Sequence, residues 1–341
     1  MKRTLLLAAK VLITAFLILY LVLSKDIDLK RSWQYVQQSD WLLLALAFAL
    51  LMSGQFLCTI RWRLILLHLG IRIDLSRLVQ FYLIGMFFSL FFPTVIGGDV
   101  IKVYYVRRDS GKSAAYGLAS VYLERATGFF ALLTYGIVGA WLQPIQLTAD
   151  DFRPIGWLGL DRMDIIWIPI GFMACFLLAN VIIGIQFVYG FANRLLERLG
   201  LGRVAERIIT LRDALGAFRD RPRSLAFPVL LSFINIGLVV IMNWLVARAL
   251  GIRVSMIVFC AVVSLMTILV MLPISINGIG LRENSFVVLL ALVGVSPEQS
   301  FALSWISFLI IVLSALPGGM CYSLLKREIP IPPGEDILNK T

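Results

Sequence analysis

The sequence predicts an all-α, polytopic integral membrane protein with about six full transmembrane helices and two broken re-entrant hairpins in an inverted repeat. Three observations predict it: apolar segments of membrane-crossing length, an uneven share of Lys and Arg between alternate loops, and a motif that recurs 180 residues later. A helix needs roughly 20 apolar residues to cross a hydrocarbon core. Residues 41–60, 78–98, 165–192, 225–247, 254–281 and 299–325 contain no Lys, Arg, Asp or Glu. Residues 5–23 hold only Lys10, and 114–142 only Glu124 and Arg125. A soluble chain of 341 residues would keep one polar face on each helix, whereas these segments are apolar all round in a composition 60% hydrophobic and 15% charged. That pattern excludes a soluble helical enzyme and makes the whole chain, 1–341, a single membrane domain.

The first segment, 5–23, follows the basic start Met1-Lys2-Arg3, but its apolar run exceeds a signal-peptide core and no small-x-small site ends it. It is expected to be a retained anchor. The first repeat half is 41–142, a connecting span and cytoplasmic amphipathic helix fill 165–223, the second repeat half is 225–325, and 326–341 form a cytoplasmic tail.

Lys and Arg orient the spans, because cytoplasmic loops are enriched in them. With the N-terminus inside, the cytoplasmic loops collect 21 of the 31 basic residues and the outer loops eight. Under that assignment the loops on both sides of 78–98 are cytoplasmic, so the segment enters and returns. Pro93 and the pair Gly97-Gly98 supply the break, proline lacking a donor and glycine permitting unusual backbone angles. An ordinary kinked span is the other reading. Residues 254–295 form the matching hairpin from the outside, broken at Pro273 and Asn277-Gly278. Both termini then lie in the cytoplasm.

The net charge of +11 requires no nucleic acid, because it is concentrated where anionic head groups lie. In 193–223, Leu195, Leu199, Ile208, Leu211 and Leu215 alternate at helical spacing with Arg194, Arg198, Arg203, Arg207 and Arg212, the pattern of a helix on the inner surface. Cys58, Cys175, Cys260 and Cys321 sit inside apolar segments without metal-ligand spacing, and His68 is the only histidine. No metal site and no cofactor is expected.

The two hairpins match. Pro93 is followed by Gly97, Gly98 and Lys102 at +4, +5 and +9; Pro273 is followed by Asn277, Gly278 and Arg282 at the same offsets. Long apolar segments flank both, and the charge-derived topology runs them in opposite senses. Inverted repeats with discontinuous helices are a transporter design, in which broken ends face a polar substrate near the midplane.

Ionisable residues inside the bilayer cost roughly 2.5 to 3.5 kcal/mol on insertion scales and usually face a cavity or a partner. Glu124 and Arg125 point about 100° apart on a helix, so at least one meets another element. The candidate partners are Asp99 and Lys102 in one hairpin and Asn277, Arg282 and Glu283 in the other, with Gly280 completing the second break. On one reading Arg125, Arg282 and Lys102 attract a lipid phosphate and the carboxylates counter them; on the other the groups form a fixed network that locks the fold.

The strings TIRWRLIL (59–66), FFPTVIGGDVIKVYYVRRDSGKSAAYGLASVYLERATGFFALL (91–133) and LPISINGIGLRENSF (272–286) resemble the lysylphosphatidylglycerol synthase transmembrane-region, flippase-like family over nearly the whole chain. The matching positions are Arg61, Arg63, Pro93, Gly97, Gly98, Asp99, Lys102, Glu124, Arg125, Pro273, Gly278, Gly280, Arg282 and Glu283. The family includes the membrane half of enzymes that aminoacylate phosphatidylglycerol in a separate soluble domain, and stand-alone members. With 16 residues after position 325, the resemblance implies lipid handling without synthesis, in a bacterial cytoplasmic (inner) membrane.

The leading expectation is translocation of an anionic or aminoacylated phospholipid, or of a polyprenyl-phosphate-linked lipid, through a polar intramembrane cavity, with Arg61 and Arg63 contacting head groups at the cytoplasmic side. No phosphate-binding G-x-x-x-x-G-K-[ST] string is present, so energy comes from a gradient or the process is passive. The alternatives are an intramembrane enzyme acting on a lipid phosphate, which the lack of a Ser-His pair disfavours, and an accessory subunit of a partner lipid or glycan synthase.

Overall fold

Long apolar helices with shorter paired helices between them account for the described residues, which contain no strand. The computed structural model describes residues 27–92, 97–142, 162–184, 222–271 and 277–328, with scattered positions at 13–23 and at 216, 274 and 275. Most of the 5–23 anchor and of the amphipathic stretch 193–223, together with the tail 329–341, Pro93 and Pro273, lie outside the described residues.

In chain order the helices are α1 (Leu29–Gln37), α2 (Trp41–His68), α3 (Leu75–Ser89), α4 (Gly97–Ser110), α5 (Ala114–Leu142), α6 (Arg162–Gly184), α7 (Ala226–Ala249), α8 (Met256–Met271), α9 (Leu281–Ala291) and α10 (Pro297–Glu328). Four described stretches are long and apolar enough to cross a membrane: Trp41–His68, Ala114–Leu142, Arg223–Ala249 and Pro297–Leu325. Their outer faces carry Trp41, Leu42, Trp141 and Met320, each more than 70% exposed. So much accessible apolar surface suits lipid as solvent and would drive association in water. The chain is a multi-pass membrane protein.

Asp40 starts α2 by accepting hydrogen bonds from the Leu42 and Leu43 amides at 2.9 and 3.4 Å. No Pro follows in this stretch, the single glycine Gly54 is taken up within the helix where it packs on Asn235, and the helix runs on to His68. The expected end at residue 60 is therefore too early. Arg61 and Arg63 are helical residues instead of loop residues, held there by the packing of Trp62, Ile65 and Leu66 in the core.

At about 1.5 Å per residue, α3 and α4 are near 22 Å long, short of a hydrocarbon core of about 30 Å. They pack antiparallel. Gly98 lies on the Gly85 carbonyl and the Ser89 hydroxyl, the Phe81 and Tyr105 rings stack at 4.7 Å, and Arg77 meets Asp109 at 2.7 Å. The partners step back down α3 as the chain advances along α4, so both ends of the pair lie together. A Cβ on Gly98 would collide with the Gly85 backbone, which is why glycine is required at this crossing. In the second pair, α8 and α9, the connection contains Asn277 (φ 51), Gly278 (φ 74) and Gly280 (φ 82), a left-handed run that glycine adopts without strain.

The elements α2-α3-α4-α5 and α7-α8-α9-α10 repeat the order long, short, short, long. Their packing is reciprocal. α2 lies against α3 as α7 lies against α8, α5 against α8 as α10 against α3, and α5 against α7 as α10 against α2. The helices α2 and α7 pack on each other antiparallel. The Asp40 amide donates to the Ala249 carbonyl (3.1 Å), Gly54 faces Asn235, and Arg61 reaches Ser232. Each half has its own apolar cluster, one around Trp62, Phe81 and Ile84, the other around Met242, Phe259 and Phe286.

Candidate functional site

The long and paired short helices are apolar over most of their length, so the charged groups that enter them have one another as partners. At its cytoplasm-assigned end α2 brings Arg61, the hairpin helix α4 brings Asp99 and Lys102, α5 brings Glu124 and Arg125, and α7 brings Ser232. Arg61, Asp99, Lys102 and Glu124 are all buried.

They form a chain of alternating sign. Arg125 Nε donates to Asp99 Oδ2 at 3.0 Å, and Asp99 Oδ1 lies 4.0 Å from Lys102 Nζ. Lys102 Nζ donates to Glu124 Oε2 at 3.2 Å and to Oε1 at 3.4 Å. Arg61 Nη2 donates to Glu124 Oε1 at 3.3 Å, and its Nη1 to the Ser232 hydroxyl at 2.8 Å. The chain begins and ends on a cation. Three cations and two carboxylates make up the chain.

Aromatic faces complete the surroundings of Lys102. Its ammonium stands 3.8 Å over the Tyr82 ring and 5.3 Å from Trp62, where ring quadrupoles favour a cation. The Trp62 ring is fixed in turn by Nε1 donating to the Ser120 hydroxyl at 3.1 Å. The Arg125 side chain, 46% exposed, is the accessible end of the chain of charges.

The sequence singled out Asp99, Lys102, Glu124 and Arg125, and the structure brings these four together. Arg61 joins them. It was expected at the cytoplasmic surface beside Arg63; it is instead 6% exposed and bonded to Glu124, because α2 carries it inward past residue 60. Arg63 is half-buried, with its Nε unpartnered. Gly97 and Gly98 begin α4 and let it meet α3.

Arg282 and Glu283 do not join this group. Arg282 Nη2 donates to Glu283 Oε1 at 2.8 Å, and Glu283 Oε2 accepts from the Gly280 amide at 2.6 Å, so the carboxylate caps α9. The Ser304 hydroxyl approaches Glu283 at 3.5 Å, and the Arg282 guanidinium lies 4.2 Å over the Phe308 ring of α10. Asn277 is half-buried in the turn before α9.

Sequence reasoning missed Tyr82 and Ser232. Neither has a signal of its own, since each is one uncharged polar residue in an apolar helix. Two further polar pairs join the long helices, Gln55 with Ser314 at 2.7 Å and Ser307 with Asn243 at 3.1 Å. Among the described residues no group of three or more His, Cys, Asp or Glu side chains is placed to hold a metal ion. The arrangement offers anion-binding guanidinium and ammonium groups, already occupied by carboxylates that an incoming phosphate could replace.

A family model described as the lysylphosphatidylglycerol synthase TM region matches residues 7–318. The chain is 27% identical over 121 residues to a UPF0104 membrane protein of Archaeoglobus fulgidus, a match covering 33% of this chain and 37% of that protein. It is 26% identical over 272 residues to a UPF0104 membrane protein of Methanothermobacter thermautotrophicus, covering 74% of this chain and 76% of the relative. No solved structure matches the chain.

Proposed function

Since the chain belongs to the lysylphosphatidylglycerol synthase TM-region family, we propose that it translocates a membrane lipid with an anionic head group, without altering the lipid's chemistry. The observation that carries this reading is the chain Arg125–Asp99–Lys102–Glu124–Arg61, which ties the short helix α4 to α2 and α5 and brings three cationic side chains together, one of them accessible at Arg125. A phosphate head group is an anion that clustered guanidinium and ammonium groups bind.

In this reading the head group meets Arg125 first, since that side chain is the exposed end. The phosphate displaces Asp99 from the guanidinium, which can grip two phosphate oxygens at once. Lys102 and Arg61 then exchange carboxylate for phosphate in turn, while the hydrocarbon chains stay in the bilayer. Candidate cargoes are a plain or aminoacylated anionic phospholipid and a polyprenyl-phosphate-linked lipid.

The reciprocal packing of the two halves and the antiparallel α2–α7 pair support an inverted repeat. In such a repeat the α8–α9 hairpin, with Arg282 and Glu283, serves the opposite leaflet. Rocking of one half on the other opens the path to alternate sides. We place the protein in a bacterial cytoplasmic (inner) membrane, and take both termini to be cytoplasmic because the loops on that side carry most of the Lys and Arg.

The test is reconstitution of the purified protein into vesicles with head-group-labelled phosphatidylglycerol, lysylated phosphatidylglycerol or a polyprenyl-phosphate sugar. Faster exchange between leaflets with unchanged lipid chemistry is expected. Release or transfer of the head group would establish an enzyme instead, and neither effect would leave the accessory-subunit reading.

A further inference from the structure

A second feature lies away from the charged chain. Between α1 and α10 runs a groove of about 580 Å³, within the usual range of small-molecule sites. Its walls include Trp33 and Val36 of α1 and Phe301, Trp305, Phe308 and Leu309 of α10. The only hydroxyl on the wall, Ser32, is bonded back to the Asp28 carbonyl at 3.2 Å and offers nothing inward.

The rim is exposed: Trp33 is 61% and Trp305 55% accessible, on the apolar face that α10 continues with Leu309, Leu313 and Leu316. On a bilayer-spanning helix that face meets hydrocarbon, so the material at hand to fill the groove is a lipid chain. Charge singles out the lipid. The ring of Phe308 has the Arg282 guanidinium 4.2 Å above it. Arg282 is 6% exposed and its Nε is unpartnered, although Glu283 holds its Nη2. Among the described residues, one donor of a buried cation beside the groove therefore has no acceptor.

We propose that this groove holds one acyl chain of an anionic phospholipid whose head group is directed toward Arg282, with Phe308 as the partition that moves to admit it. The proposal rests on the lipid-translocation reading and adds to it the seat of the cargo's tail at the second hairpin.

The experiment uses the full chain in lipid nanodiscs doped with phosphatidylglycerol or phosphatidylcholine, each carrying a photoactivatable diazirine in one acyl chain. Labelled peptides are mapped by mass spectrometry. Phosphatidylglycerol is expected to label Trp33, Phe301 and Trp305 in preference to Trp141 and Leu230, which are exposed elsewhere on the apolar surface. Arg282→Gln should reduce that labelling about tenfold and leave phosphatidylcholine labelling unchanged. Val36→Trp, which fills the groove without touching the ion pair, should remove groove labelling by both lipids and keeps the test decisive if Arg282→Gln fails to fold.

Even labelling around the perimeter would overturn the proposal, as would groove labelling indifferent to the head group. So would a crosslink showing residues 5–23 of the chain itself in the groove. Leaflet exchange measured on the same samples separates the two readings. Exchange with even labelling removes the groove site alone, and groove labelling without exchange removes translocation alone.

Discussion

Lys102 and Glu124 face each other at 3.2 Å with both side chains almost wholly buried, one on the short helix α4 and the other on the long helix α5. The pair fastens the hairpin to α5, and through Arg61 to α2 and α7. A contact that joins four elements constrains both stability and movement.

Removing one partner strands the other. Glu124→Gln leaves Lys102 and Arg61 facing a neutral amide, and the expected loss is about 3 to 5 kcal/mol of stability, the range for breaking a buried pair. Replacing both Lys102 and Glu124 by Met should cost much less than the two single changes together. Thermal unfolding of the three variants in detergent gives the coupling energy; additive losses would show that the pair does not act as a unit.

Arg125 differs because half of its side chain is exposed. Arg125→Gln should leave folded yield near wild type while slowing leaflet exchange of an anionic lipid about tenfold or more, as loss of a charged hydrogen bond implies. Arg125→Lys keeps the charge but loses the planar fork, so partial activity is expected. Normal exchange by Arg125→Gln would remove this residue from the path.

The crossing of α3 and α4 makes a steric prediction. Gly98→Ala places a methyl against the Gly85 backbone and should destabilise the protein by about 1 to 3 kcal/mol, the usual range for overpacking. Gly171→Ala on α6 meets nothing within 4 Å and should be neutral or stabilising through helix propensity. Melting temperatures of the two variants, measured together, decide whether the hairpin is as tight as described.

The four long apolar helices and the antiparallel pairing of α3 with α4 were legible because they rest on features with a direct physical cost in lipid: charge and breaks in the backbone. The segment 114–142 matches α5 residue for residue. The end of α2 was misplaced because Arg61 was counted as a surface charge, although Leu64, Ile65, Leu66 and Leu67 after it continue a helical apolar stretch without a breaker. Partners of the buried charges were less legible. Glu124 and Arg125 required partners, but which of Asp99, Lys102, Arg282 and Glu283 supplied them depends on how α4 and α9 pack, which residue type alone does not encode. Ser232 and Tyr82 became visible only when their helices were seen beside Arg61 and Lys102.

The last prediction concerns the path of the chain. If α3 and α4 turn back inside the bilayer, Arg77 before the pair and Ser113 after it are on one face of the membrane, and Lys30, one crossing earlier, is on the other. Single cysteines at these three exposed or half-exposed positions, in a background lacking Cys58, Cys175, Cys260 and Cys321, report this directly. A membrane-impermeant maleimide added to oriented vesicles should modify Arg77→Cys and Ser113→Cys from the same side and Lys30→Cys from the opposite one. If Ser113→Cys instead reacted together with Lys30→Cys, residues 75–110 would be a kinked crossing. The charged chain would then lie on a spanning helix, and the hairpin mechanism would lose its basis. The antiparallel contacts from Ser89–Gly98 down to Arg77–Asp109 argue for the first outcome, because a crossing segment would carry residues 77 and 109 to opposite faces, whereas here they are 2.7 Å apart.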